Sequence, residues 1–194
     1  MHAFLIVVAV ATTAAPDSVV YRLSPASRLD VRTGKSGVLG FAGHEHLIRA
    51  RRFSGRVVYF PHEPARSKLE IHVETGSLEV LTPPDSDEIR KVTSSMRTEV
   101  LHVDRHRSIV FATKTVEVVP DGLRIVGELT IEGQTHEVPV EVRTQVGPDT
   151  LRANATFSVK QTDFGIKPYR GGPGGTVRVA DRVTFEIAAV AVRE

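Results

Sequence analysis

The sequence contains no cysteine, which excludes disulfides, thiolate-bound zinc and thiol catalysis while leaving the compartment open. Neither sign of charge is in excess: 25 Lys and Arg against 23 Asp and Glu give a formal net charge of +2. A dense, one-faced basic footprint is therefore missing, and nucleic acid is not an expected partner. Neither a Gly-x-Ser-x-Gly elbow nor a His-Glu-x-x-His helix occurs, so the marked forms of serine-nucleophile and zinc-peptidase chemistry are absent. The run Gly171 to Gly175 lacks the Lys-Ser/Thr tail of a phosphate-cradling loop, and a loop is its expected role. No internal repeat, coiled coil or low-complexity linker is evident. These absences predict a binding protein rather than an enzyme, with no cofactor.

Long apolar runs are also scarce. The stretch from Ala3 to Ala15 falls short of the roughly 20 residues needed to span a bilayer as a helix. It reads instead as a signal peptide over residues 1–15, with the mature chain starting between Thr12 and Asp17, although Met1-His2 supplies no Lys or Arg. The expected location is periplasmic or secreted. Residues 16–194 are expected to form one domain.

What the chain does have is a two-residue alternation of apolar and polar side chains. Leu151, Ala153, Ala155, Phe157 and Val159 alternate with Arg152, Asn154, Thr156, Ser158 and Lys160, as a strand with one dry and one wet face requires. The rhythm recurs from Val19 to Leu23, Leu29 to Thr33, Phe53 to Phe60, Leu69 to Glu79, Ile109 to Val119, Leu123 to Ile131, around Val138 to Val142, from Val177 to Val179 and from Val183 to Val192. Pro120-Asp121-Gly122, Glu132-Gly133-Gln134 and Gly147-Pro148-Asp149 join successive strands as hairpins. Such a series forms either a two-sheet sandwich or a closed barrel, and only the barrel encloses an apolar lumen. The glycines at 34, 37, 40 and 43 leave strand and loop equally open.

One helix is expected after Pro83-Pro84, with Asp85 or Ser86 capping and Asp87 and Glu88 in the positive first turn. Ile89, Val92, Met96 and Val100 form a single stripe, a packing face that would cover an edge or an end of the β structure.

Several short signatures in a fixed order resemble the YceI-like family of bacterial lipid-binding proteins. They are Tyr21-Arg22-Leu23 with Ser24-Pro25-Ala26-Ser27, Arg52-Phe53-Ser54-Gly55 before Val57 to Pro61, and Val103 to Phe111 after the helix. Val126 to Gly133 with His136 to Val140, Asp163-Phe164-Gly165-Ile166 and Val179 to Val183 complete the set. The resemblance implies an all-β, extended antiparallel lipocalin-like barrel of about eight strands with one short helix. It also implies export, and a lumen that encloses a polyisoprenoid or similar long amphiphile for envelope transport, storage or stress response. This chain departs from the family in the short spacer, Ile48 to Arg52, between His46-Leu47 and Phe53.

Bulky residues on the inward phase are the candidates for ligand contact: Phe53, Val57, Tyr59, Leu69, Ile71, Phe111, Ile125, Leu129, Val140, Phe157, Phe164 and Phe185. An alternative reading makes the protein an extracytoplasmic metal binder through His44 and His46, which project to one side of an extended chain, with His102, Asp104 or His106 as a third donor. Arg49, Arg51, Arg52, Arg56, Arg105 and Arg107 could make a positive rim for an anionic head group or a transient membrane contact. A third reading is a scaffold for another envelope protein. The oligomeric state is open, a homodimer being one option.

Overall fold

In the computed structural model, residues 18–35, 45–82, 86–171 and 177–194 are described. The leader, His44, Asp85 and the glycines at 37, 40 and 43 lie outside these residues.

Eight staves close into a barrel. The first three are each broken in two: β1 (Val19–Leu23) and β2 (Arg28–Lys35), β3 (His46–Ala50) and β4 (Phe53–Tyr59), β5 (Lys68–Glu74) and β6 (Leu78–Val80). Five unbroken strands follow, β7 (Ser108–Val119), β8 (Gly122–Ile131), β9 (Gln134–Val146), β10 (Thr150–Lys160) and β12 (Val177–Arg193), with the short β11 (Arg170–Gly171) paired to the last. All pairings are antiparallel. The ladder runs β1-β4-β5-β7-β8-β9-β10-β12, and β1 pairs β12 to close it. Beyond the breaks, β2, β3 and β6 prolong the same staves on the far side of β12. The chain is therefore a barrel rather than a sandwich.

The breaks are mended by side chains. Ser77 Oγ accepts the Arg52 N–H at 2.9 Å and donates to the Glu74 and Arg52 carbonyls, while Thr75 Oγ1 donates to the His106 carbonyl at 2.6 Å. Thr75 and Ser77 are buried, so these hydroxyls stand in for ladder bonds that a continuous strand would make. For that reason the segment Leu69 to Glu79, expected as one strand, is two. A bulge between Thr113 and Thr115 in β7 is repaired likewise: Thr113 Oγ1 accepts from the Leu69 N–H at 2.9 Å and donates to the Leu69 carbonyl.

At β6 the extended path ends, and a helix covers the exposed strand. The helix, α1 (Ser86–Ser95), carries Asp87 and Glu88 in its first turn and runs into a π-helical turn over Met96–Val100. Met96 is buried, with Ile89 and Val92 packed beside it against Leu78 and Val80, so the stripe read from the sequence is the packing face. Polar residues on the same helix satisfy the strand edge, where an unpaired backbone would otherwise remain. Thr93 Oγ1 accepts from the Val80 N–H at 3.4 Å, and the Arg97 guanidinium donates to the Leu78 carbonyl at 2.7 and 3.2 Å. Arg97→Met keeps the apolar stem and removes these charge-assisted bonds, so it should lower stability by about 1.5–3 kcal/mol. An unchanged urea midpoint for this variant would show that the helix is held by its stripe alone.

Candidate functional site: an apolar lumen

The inward phase is buried in three clusters and only half-buried between them. One core cluster, including Leu129, Ile131, Val138, Val159, Phe164 and Ile166, fills the end near the β8–β9 hairpin. A second packs under the helix, and a third joins Tyr21, Leu151 and Ala191. Between them Val57, Ile71, Val73, Phe157 and Phe185 face inward yet keep intermediate exposure. The surface they expose faces a hollow of about 170 Å³, which they line with residues from all eight staves. An apolar cavity of about 150 Å³ already takes a benzene-sized guest, and a longer chain would continue through the mouth.

The hollow exists because one wall is made of small side chains. Ala153 and Ala155 of β10 lie beside Ala189 and Ile187 of β12, and Ala191 follows in the same row. Across from them stand the larger Val57, Ile71 and Val116. Had the alanines been leucines, the lumen would be filled like the interior of most small barrels.

One end is plugged. After β10 the chain makes a 3-10 turn at Gln161–Phe164, reverses at Gly165 in the left-handed region (φ 75°) and sends Ile166 back into the core. Phe164 is 1% exposed, and His136 meets its ring edge-on at 5.0 Å between centroids. Asp181 holds this turn: its carboxylate accepts from the Thr162 N–H at 2.9 Å and the Thr162 hydroxyl at 2.8 Å. Partial burial by itself would raise the Asp181 pKa, but the Thr162 hydrogen bonds and the nearby Lys160 charge outweigh it and hold the group below its ordinary value of 3.8. A lowered folded-state pKa means the stabilisation is complete above about pH 4 and is lost as the pH falls through the folded-state value. The melting advantage of the native chain over Asp181→Asn should therefore be present at pH 5–7 and vanish below pH 3.8; an advantage that persists in acid would contradict the cap.

The opposite end is open. Val118 and Val146 lie on the inward phase, paired with the lining residues Leu123 and Leu151, yet they are 56% and 44% exposed. Inward residues left uncovered at the tips of their strands mark the mouth. Of the polar side chains near the lumen, Thr113 is engaged by Leu69, Ser67 Oγ by the Phe60 N–H, and Asp30 by a bidentate bond from Arg49 at 2.7 Å, while Thr144 lies toward the mouth between Val142 and Val146. Among the described residues no buried side-chain nitrogen or oxygen lacks a partner. Contact with a guest would therefore be dispersive and solvophobic, not directional.

Of the residues singled out from the sequence, Val57, Tyr59, Leu69, Ile71, Phe111, Ile125, Leu129, Val140, Phe157 and Phe185 come together around the lumen. Phe53 packs instead with the cluster beneath the helix, and Phe164 belongs to the plug. The alanine wall is absent from the sequence candidates, which are chosen by bulk. Small residues at the inward phase of two neighbouring strands were the available signal.

Of the histidine pair, only His46 is among the described residues. His46 Nδ1 donates to the Thr82 carbonyl at 2.8 Å, His102 Nδ1 pairs with Glu132 at 2.7 Å, and His44 lies outside the described residues. No group of three or more His, Asp or Glu is placed to hold a metal among the described residues. Three of the six arginines read as a rim are held in close ion pairs. Arg49 pairs with Asp30, Arg51 with Glu79 and Arg52 with Glu74. The hydrogen bonds that Arg49 donates to Asp30 raise its pKa above its ordinary value against the opposing effect of burial.

A model of the YceI-like domain matches residues 27–191. Among solved structures, BcnA from Burkholderia cenocepacia superposes with a TM-score of 0.69 at 16% identity, over 87% of this chain and 98% of that one. A polyisoprenoid-binding domain from Saccharophagus degradans, implicated in plant cell wall breakdown, gives 0.66 at 10% identity, over 91% and 99%. The YCEI protein of Campylobacter jejuni gives 0.59 at 13% identity, over 76% and 84%. No curated protein matches the sequence.

Proposed function

The chain belongs to the YceI-like family, and from that premise we propose that it is a non-catalytic carrier that encloses the chain of a polyisoprenoid or similar long amphiphile. The observation that carries this reading is the half-buried middle of the lumen. Large apolar side chains point inward and still expose surface to a hollow closed at one end. Affinity then accrues at about 25 cal/mol per Å² of apolar surface removed from water, without directional contacts. The polyisoprenoid-binding domain from Saccharophagus degradans, alike in fold, supports the choice of chain. The apolar stretch over residues 1–15, read as a leader, supports a location in the periplasm or outside the cell, for envelope transport, storage or stress response. N-terminal sequencing of protein recovered from the envelope should begin between Thr12 and Asp17.

Titration with all-trans isoprenoid alcohols, followed by native mass spectrometry, tests the site. Phe157→Asp places an unpaired charge in the lumen and should reduce occupancy by at least tenfold, since burying such a charge is strongly unfavourable. Equal occupancy in the native and variant proteins would move the binding site away from the lumen.

A further inference from the structure

Three phenylalanines stand between the hollow and the plug. Phe157 and Phe185, cross-strand neighbours on β10 and β12, stack with parallel rings 4.8 Å apart. Phe111 reaches toward them from β7, its ring centroid 6.5 Å from that of Phe157. All three line the lumen on one side and pack against the plug cluster on the other. They form the wall that separates the lumen from the plug, at the side away from the Val118 and Val146 mouth.

The position of Phe111 is set by a residue with no side chain. Gly127 sits on the inward phase of β8, between Ile125 and Leu129, and pairs with Thr113. A Cβ added there would fall 2.1 to 2.8 Å from three ring atoms of Phe111. The far edge of the ring therefore occupies the space above the β8 backbone that the Cβ of any other residue would fill. With an alanine at 127 the ring must lift off that wall, and the lumen is the side left for it.

We infer that Phe111, seated on Gly127, is the stop that sets the longest chain the lumen accepts. This rests on the reading of the lumen as a chain-binding site and deepens it: the guest goes in tail first and its apolar terminus meets the three rings. The side chains around that terminus, Leu129, Val140, Phe157 and Phe185, offer it no hydrogen-bonding group. The ligand class is accordingly a chain polar at one end only.

The test is a length series of linear isoprenoid alcohols titrated into the native protein, Phe111→Ala and Gly127→Ala, with Phe111→Leu as a milder second variant and a thermal melt on each. In the native protein affinity should rise about fourfold for each methylene buried until it reaches a plateau. The plateau should come at longer chains in Phe111→Ala and Phe111→Leu, and at shorter chains in Gly127→Ala. These opposite shifts separate a length stop from general damage to the barrel, which would weaken every chain alike. A plateau at the same length in all folded variants overturns the stop. A native protein that binds no member of the series overturns the carrier reading itself, and the stop with it.

Discussion

Ala189→Leu should empty the lumen of its guest while leaving the barrel at least as stable as before. Ala189 faces Ala153 across the β10–β12 ladder and lines the hollow, so a larger side chain grows into unoccupied space rather than into a packed neighbour. It takes the room of about three ligand methylenes at about 0.8 kcal/mol each. The loss is about 2.4 kcal/mol, or roughly sixtyfold in Kd. Filling the hollow also buries apolar surface that the native protein leaves exposed, so the melting temperature should hold or rise. Weaker binding together with undiminished stability is a combination that ordinary core damage does not produce. A variant that melts lower and binds normally would mean that the alanine wall is packed and that guests bind elsewhere.

Phe164→Ala should have the largest effect on folding. The ring is 1% exposed within the cluster that closes one end of the barrel, and removing a buried phenylalanine typically costs about 3–5 kcal/mol through lost transfer energy and the cavity left behind. The surrounding turn cannot easily collapse into the gap, because Asp181 fixes it at Thr162, and the Gln161 amide donates to the Ala180 carbonyl at 2.8 Å. A fall in the denaturant midpoint without a change in slope is the expected result. A loss under about 1 kcal/mol, the range of tolerated core swaps, would show the plug to be loosely packed.

These two variants also mark the boundary of what the sequence made legible. Alternation along β10 and β12 announced which side chains face inward, and Ile89, Val92 and Met96 announced a helix that covers a strand edge; both depend on periods that neighbouring residues reveal. The strand breaks were hidden. Thr75, Gly76 and Ser77 interrupt a stave with small polar residues, and the bonds that mend it reach Arg52 and His106, far away in sequence. The short strand β3 was obscured by the glycines before it. At the lumen, phase identified the lining but not its division into a filled end, a hollow middle and an open mouth. That division depends on which strand faces which: Ala153 beside Ala189 leaves space, whereas Phe164 beneath His136 closes it. Phe164 and Phe157 share the aromatic, inward character that alternation detects, and only the plug turn after β10 assigns them to different tasks.

The most direct measurement is native mass spectrometry of the full protein purified from its own cells, coupled to organic extraction, with Ala189→Leu prepared in parallel. The account predicts a long-chain, singly polar amphiphile near one equivalent in the native protein and its loss from the variant. Native protein that carries no apolar molecule and takes none up on incubation with isoprenoid alcohols, or the same chain retained in full by Ala189→Leu, would contradict it.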